Sequence, residues 1–217
     1  MSCSGCTDCP FDGKEIPNNL HEIHVTFALP EGQQAFTFEQ QRKIERQILA
    51  RTGAKLLTIY PEGIPAQHML TKRVYGTDKE ALDWANSIKS ILRYYKLAIP
   101  RVKIETTPTN TEVISTYKDG YYESHIECVG PWKTTRESLL SCTKGGFHVS
   151  ANPFKASVDT ETYMMTHRSK SKNFAYVQEL INSKVVEVEL KEGIKVSRII
   201  YEYCWYDSNI DLDKGWK

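Results

Sequence analysis

An internal repeat is the feature of this sequence that most restricts its fold. The segment Glu22–Val25 (EIHV) matches Glu123–Ile126 (ESHI) at an offset of 101 residues. Two further matches follow in the same order, at offsets of 95 and 97 residues, namely Met69–Arg73 with Met164–Arg168 and Arg101–Glu105 with Arg198–Glu202. Matching segments in a constant order indicate that one structural unit has been repeated. The repeat therefore predicts two halves with the same fold.

Both halves show the same succession of predicted elements. In the first half, residue periodicity predicts strands over Leu20–Leu29, Lys55–Tyr60, Gln67–Tyr75 and Pro100–Thr106, and helices over Phe36–Thr52 and Asp78–Leu97. In the second half it predicts strands over Tyr121–Val129, Phe147–Ala151, Thr162–Arg168, Val185–Leu190 and Val196–Trp205, and helices over Thr134–Lys144 and Asn173–Ser183. Apart from the extra strand at Val185–Leu190, each order is βαββαβ. We therefore predict an α+β fold of two tandem ferredoxin-like halves from an internal duplication.

Composition divides the chain into five segments. Residues 20–107 and 120–205 are the predicted halves, residues 108–119 a linker rich in Thr, Asn and Ser, and residues 1–19 a cysteine-containing leader. Residues 206–217 are predicted to form a polar, solvated tail. The tail contains Asp207, Asp211 and Asp213, but it lacks the glycine and the distal glutamate of an EF-hand loop. A calcium site is therefore not expected there.

Charge and hydropathy exclude several classes of protein. The 28 basic and 27 acidic side chains give a net charge of +1, so no duplex DNA binding is expected. No apolar run approaches the roughly 20 residues of a membrane helix, and no secretory signal is recognisable, so we expect a cytoplasmic protein without a membrane partner. Cys3, Cys6 and Cys9 have the spacing of metal ligands but lack a fourth ligand nearby. We therefore expect neither a metal nor a cofactor.

Candidate functional residues fall on one face of each predicted sheet. A βαββαβ unit packs both helices on one face of its sheet, and side chains alternate between the two faces. With the apolar residues turned to the helices, the open faces carry Glu22, His24, Thr26, Arg101, Lys103 and Glu105 in the first half, and Glu123, His125, Glu127, Arg198 and Glu202 in the second. Arg73 and Arg168 lie on neighbouring strands. The two open faces are expected to approach each other.

Two interpretations of these polar faces remain open. The charged groups could pair with one another across the sheets, for example Arg101 with Glu22 and Arg198 with Glu123. Alternatively, they could form a cleft that binds an anion, with Arg73, Arg101, Arg168 and Arg198 as clamps and with Glu22, Glu105, Glu123 and Glu202 as supporting groups. A histidine pair in such a cleft could exchange protons near neutral pH.

Short motifs add a resemblance to known families. His24-Val25-Thr26 and His148-Val149-Ser150 fit the pattern H-x-[TS], whereas Glu127 breaks it at His125-Ile126-Glu127. Two such motifs in a two-lobed protein resemble the 2H phosphoesterases. That resemblance implies a metal-independent phosphodiesterase acting on RNA ends or cyclic nucleotides, with His24, His125 and His148 as candidate acid/base residues and Thr26 on the phosphate. The alternative is a non-catalytic module that binds a nucleotide or a protein. The end of the chain, residues 206–216, is similar to the close of a family of uncharacterised bacterial and phage proteins.

Overall fold

The eight strands of the described residues form one closed antiparallel barrel. A computed structural model describes residues 19–28, 46–47, 50–132, 134–151 and 159–216. The strands are β1 (Leu20–Ala28), β2 (Lys55–Pro61), β3 (Gln67–Tyr75), β4 (Ala98–Thr106), β5 (Tyr121–Pro131), β6 (Phe147–Ala151), β7 (Thr160–Ser169) and β8 (Lys195–Asp207). Around the barrel they follow the order β1-β3-β2-β6-β7-β5-β8-β4. The fold is therefore α+β, with its strands in a single antiparallel sheet.

Helices pack outside this barrel. They are α1 (Asp78–Tyr94), α2 (Thr111–Thr116), α3 (Thr134–Leu140) and α4 (Phe174–Glu189), and a 3-10 turn covers Ile210–Asp213. Residues 46–47 and 50–52 are also helical. Helix α1 begins at a capping box between Thr77 and Glu80, which satisfies free N–H groups of its first turn. Its buried stripe packs against apolar residues of β1 and β4, in particular Ala81, Ala85, Ile88 and Leu92 against Ile23, Val25 and Ile104.

The two halves of the barrel have the same strand order and register. Strands β1 to β4 lie in the order β4-β1-β3-β2, and strands β5 to β8 lie in the order β8-β5-β7-β6. His24 pairs with Thr71 and Lys103 on its neighbouring strands, while His125 pairs with Thr166 and Ile200. Thr71 and Thr166 are 95 residues apart, and Lys103 and Ile200 are 97 residues apart, which are the offsets of the sequence repeat. Even the β-bulge recurs at matched positions, after Thr26 in β1 and after Glu127 in β5. The repeated segments therefore occupy matched positions.

The halves join at two junctions of unequal size. Strands β4 and β8 pair over Lys103–Thr106 and Tyr203–Asp207, whereas β2 and β6 pair at Tyr60 with Ala151 and at Pro61 with Ser150. Because the sheet closes on itself, the faces opposite the helices meet inside the barrel. The charged side chains expected on the open faces lie in this interior.

Three sequence-based assignments need correction. The strand predicted at Val185–Leu190 is the end of α4, because Val177, Ile181, Lys184 and Val188 form one buried stripe with helical spacing. The linker contains helix α2, which Asn110 caps by accepting a hydrogen bond from the backbone N–H of Val113. The tail is solvated only in part, since Asp213 and Trp216 are buried. The predicted helix Phe36–Thr52 lies mostly outside the described residues, and the leader lies outside them up to residue 18.

Candidate functional site

Two matched histidine sites lie near the middle of the barrel interior. Nδ1 of His24 forms a hydrogen bond of 3.0 Å with Oγ1 of Thr71, and its Nε2 lies 2.8 Å from Oε2 of Glu105. Nδ1 of His125 forms a hydrogen bond of 2.9 Å with Oγ1 of Thr166. Its Nε2 lies 3.3 Å from Oε2 of Glu202 and 3.4 Å from Oε1 of Glu123. Each ring is thus fixed between a threonine on one neighbouring strand and a carboxylate.

A single lysine makes the two histidine sites electrostatically unequal. Nζ of Lys103 lies 2.8 Å from Oε1 of Glu105 and 2.8 Å from Oε1 of Glu123. Burial would raise the pKa of Glu105, but the charge of Lys103, together with the hydrogen bond to His24 and the charge of that ring, outweighs burial and holds that pKa at about 2. In the second half, the position matched to Lys103 is Ile200. Without that lysine, burial and the charge of Glu105 raise the pKa of Glu202.

Both histidines favour the protonated form. Burial alone would lower the pKa of His24, but its hydrogen bond to Glu105 and the charge of that carboxylate outweigh burial and raise the pKa above its ordinary value. The pKa of His125 is raised for the same reason, by its hydrogen bond to Glu202 and by the charge of Glu123. A ring that carries both protons donates from both nitrogens, to a threonine oxygen and to a carboxylate. Each ring, when protonated, adds a positive charge beside the carboxylates of the interior.

The raised histidine pKa values predict a loss of stability at alkaline pH. A group whose folded-state pKa exceeds its unfolded value stabilises the protein fully below the unfolded pKa, near 6.5, and loses that contribution as pH rises through the folded pKa. His21, His68 and His167 have pKa values lowered by burial, so they affect stability below about pH 6.5. Urea unfolding from pH 6.5 to 9 should show the free energy of unfolding falling, by up to about 1.4 kcal/mol per pH unit for each proton. His24→Asn and His125→Asn should each flatten this slope, and an unchanged slope in both variants would contradict the assignment.

One end of the barrel interior is closed by a dense ion-pair network. Arg101, whose side chain is 5% exposed, donates from Nε and Nη2 to Asp207 at 2.9 and 2.5 Å, and from Nη1 to Asp213 at 2.5 Å. Arg168 donates from Nε to Glu123 at 2.8 Å, and its Nη1 lies 2.6 Å from the same oxygen of Asp213. The hydroxyl of Tyr121 donates to Asp207 at 2.7 Å. We call this the strapped end, because residues 208–216 cross it.

The opposite end carries the matched arginines in a more exposed setting. Arg73, at the position matched to Arg168, is 51% exposed and donates from Nε to Glu22 at 2.8 Å. Arg198, at the position matched to Arg101, is 30% exposed and donates from Nη2 to Glu127 at 3.0 Å. The buried Nε of Arg198 has no hydrogen-bond partner among the described residues. We call this side of the interior, defined by Arg73, Arg198, Glu22 and Glu127, the open end.

The expected site residues are thus only partly brought together. Arg101 does not pair with Glu22, nor Arg198 with Glu123. Glu22 binds Arg73 and Glu123 binds Arg168, while Arg101 binds Asp207 and Asp213, and Arg198 binds Glu127. Arg101 is a poor anion clamp, since the ion pairs with Asp207 and Asp213 occupy its guanidinium. Thr26 is buried and lies across from Arg101 on the neighbouring strand. A phosphate bound at either histidine would therefore not contact Thr26.

The third candidate histidine belongs to another part of the structure. Nδ1 of His148 lies 2.8 Å from the carbonyl oxygen of Trp216, and the two rings stack with centroids 5.3 Å apart. His148 therefore anchors the end of the chain. The sequence reasoning missed the contacts that Asp207, Asp213 and Trp216 make with the barrel, although all three lie in the segment set aside as a tail. It also missed Thr71 and Thr166, which lie directly across from the histidines in the register.

The described residues hold neither a side-chain cluster suited to a metal ion nor a helix suited to a membrane. Within the described ranges, no group of three or more His, Cys, Asp or Glu side chains has the geometry to hold a metal ion. The candidate ligands Cys3, Cys6 and Cys9 lie outside those ranges. None of the helices in the described part of the chain is long and apolar enough to cross a bilayer.

Comparisons with known proteins assign no family to the chain. No family model matches it, and no curated protein matches it. Among solved structures, a variant of the chlorite dismutase from Candidatus Nitrospira defluvii has a TM-score of 0.34 at 8% identity, covering 87% of this chain and 92% of that chain. The small subunit of acetolactate synthase from Thermotoga maritima has a TM-score of 0.29 at 14% identity, covering 86% and 98%. Because both TM-scores are below 0.5, neither likeness assigns an activity or a ligand to this protein.

Proposed function

We propose that the protein binds a small phosphate-bearing molecule at the open end of a barrel made from two duplicated ferredoxin-like halves. The observation that carries this proposal is the carboxylate of Asp213 between Arg101 and Arg168 at the strapped end. Arg198 and Arg73 occupy the matched register positions at the open end, where they are more exposed. Arg101 and Arg168 bind an anionic side chain at the strapped end. Arg198 and Arg73 are their counterparts at the open end, where an external anion can reach them.

The charges near the open end also suit an anion. Arg168 binds Glu123 and Asp213 at once, so an arginine already paired with one carboxylate can accept a second oxyanion. Arg73 is paired with Glu22 in the same register as Arg168 with Glu123. His24 and His125, whose pKa values are raised by their carboxylate partners, lie in the same interior and are cationic when protonated. Phosphate fits this setting because guanidinium groups bind its oxygens by charge-assisted hydrogen bonds.

A metal-independent phosphodiesterase is the second candidate. Its support is that both histidines lie at matched positions, each within 3.0 Å of a threonine hydroxyl. An acid/base pair needs one neutral histidine to accept a proton from the nucleophile. The pKa of each histidine is raised by its carboxylate partner, which disfavours the neutral form that a base needs. We therefore rank binding without turnover above hydrolysis.

A titration panel tests both candidates. The purified protein would be titrated calorimetrically with inorganic phosphate, 5′-AMP and 2′,3′-cyclic AMP, with adenosine as the uncharged control. We expect the phosphate-bearing compounds to bind and adenosine to bind far more weakly. Arg73→Ala and Arg198→Ala should each weaken binding roughly 10- to 100-fold, the equivalent of a lost hydrogen bond to a charged group. Arg93→Ala, on the exposed side of α1, is the matched control and should change nothing.

The same panel separates the two candidates by turnover. Incubation of 2′,3′-cyclic AMP with the protein, followed by chromatography, should return the intact cyclic nucleotide. Hydrolysis that His24→Asn and His125→Asn abolish would establish the phosphodiesterase instead. The proposed function would be refuted if no phosphate-bearing compound bound. It would also be refuted if neither Arg73→Ala nor Arg198→Ala weakened binding.

A further inference from the structure

The C-terminal residues 208–216 form a strap across one end of the barrel. At its start, the backbone N–H of Ser208 donates to the carbonyl of Val102 at 2.9 Å, and Nδ2 of Asn209 donates to the carbonyl of Pro100 at 3.1 Å. At its end, Nε1 of Trp216 donates to the carbonyl of Val149 at 2.7 Å. Gly215 has φ of +97°, a conformation that glycine adopts without steric cost. The strap therefore runs from β4, at one junction between the halves, to β6 at the other.

The strap places the carboxylate of Asp213 among three donor side chains of the barrel, Arg101, Arg168 and Gln67, which we call the cradle. Oδ2 of Asp213 lies 2.5 Å from Nη1 of Arg101 and 2.6 Å from Nη1 of Arg168, and Oδ1 accepts from Nε2 of Gln67 at 2.9 Å. These three donors come from β4, β7 and β3, so both halves contribute. Asp213 itself comes from the 3-10 turn outside the strands. The donors thus belong to the barrel, and the acceptor belongs to the strap.

We infer that this cradle is a second oxyanion site, and that Asp213 is an internal occupant which an external carboxylate or phosphate group can replace. Three converging donors, two of them guanidinium groups, bind a carboxylate oxygen and a phosphate oxygen by the same charge-assisted hydrogen bonds. A tethered occupant competes at an effective concentration on the order of millimolar or more. External anions therefore bind weakly while the strap is in place and tightly once Asp213 is removed.

The decisive variant removes the occupant and keeps the cradle. Asp213→Ala leaves Arg101, Arg168 and Gln67 in place, and we expect it to bind inorganic phosphate at least tenfold more tightly than the unmodified protein, as measured by calorimetry. Acetate, titrated in parallel, distinguishes a site that takes any carboxylate from one that requires phosphate. Asp211→Ala, in the same turn and exposed, is the control and should behave as the unmodified protein. Equal phosphate and acetate affinities in Asp213→Ala and in the unmodified protein would overturn the inference.

A double variant separates the cradle from the open end. Asp213→Ala combined with Arg73→Ala should retain the tight phosphate binding, because Arg73 lies outside the cradle. If that binding disappears, the anion sits at the open end, so the cradle inference fails while the proposed function stands. Should Asp213→Ala not fold, Trp216→Ala loosens the strap at its far anchor and should also raise the phosphate affinity. No gain in that variant would equally refute the cradle.

Discussion

Arg101→Ala is expected to lower the free energy of unfolding by about 3–5 kcal/mol. The variant leaves Asp207 buried without its cation, and Asp213 with one cation, Arg168, instead of two. Removing one partner from a buried ion pair is costly because the remaining charge stays desolvated. In a chain of this size the change corresponds to a fall of roughly 6–20 °C in melting temperature. Chemical unfolding and differential scanning calorimetry at pH 7 would measure both quantities.

The matched arginine of the other half supplies the control for this experiment. Arg198→Ala removes the same side chain at the same register position, but there the ion pair with Glu127 is partly exposed. We expect a loss nearer the roughly 0–1 kcal/mol typical of exposed ion pairs. Adding Asp207→Asn and Asp213→Asn to Arg101→Ala should recover part of the lost stability, since no unpaired carboxylate then remains in the network. Equal losses from Arg101→Ala and Arg198→Ala would show that the strapped end is not a buried network.

The sequence predicts the strands and the face of each β1 and β5 side chain well, because local periodicity determines both. Gln67–Tyr75 and Phe147–Ala151 have the bounds that alternation of apolar residues predicts. The same alternation directs His24 and His125 to the side away from the helices. Prediction from alternation fails at Val185–Leu190. The valines there alternate as in a strand, but the segment continues helix α4 and its buried stripe. The secondary structure of that segment is determined by packing against the rest of the protein, and the local sequence pattern does not encode this packing.

Which charged side chains pair inside the barrel is harder to predict, because the pairing depends on contacts between segments that are distant along the chain. Arg101 binds Asp207 and Asp213, which are 106 and 112 residues away along the chain. A polar segment at the end of a chain looks solvated until the fold provides cations for its carboxylates. The register explains the other pairs, since Glu22 lies directly across from Arg73 on the neighbouring strand. A search for opposite charges at matched offsets in both halves would have found Glu22 with Arg73 and Glu123 with Arg168.

Lys103→Met is expected to cost about 3–5 kcal/mol at pH 7, by leaving Glu105 and Glu123 buried without the lysine that both contact at 2.8 Å. The loss should depend on pH in a defined direction. Burial would raise the pKa of each carboxyl. Lys103, with His24 beside Glu105 and with Arg168 and His125 beside Glu123, holds the pKa of Glu105 at about 2 and that of Glu123 well below its ordinary value. Depressed values of this kind stabilise the folded protein above the unfolded pKa, near 4.5, and that stability is lost as pH falls toward 2.

The difference between Lys103→Met and the unmodified protein should therefore be largest at neutral pH and shrink below about pH 4.5, as protonation neutralises the two carboxylates that have lost the lysine. Ile200→Met, which places the same side chain at the matched position of the second half, is the control. An exchange of one apolar side chain for another of similar volume should cost less than about 1.5 kcal/mol, with little dependence on pH. Urea unfolding of both variants from pH 7 to pH 3 measures the two profiles. A Lys103→Met loss that is constant over this range would mean that the carboxylates are not held ionised by the lysine, and that its aliphatic chain, rather than its charge, stabilises the barrel interior.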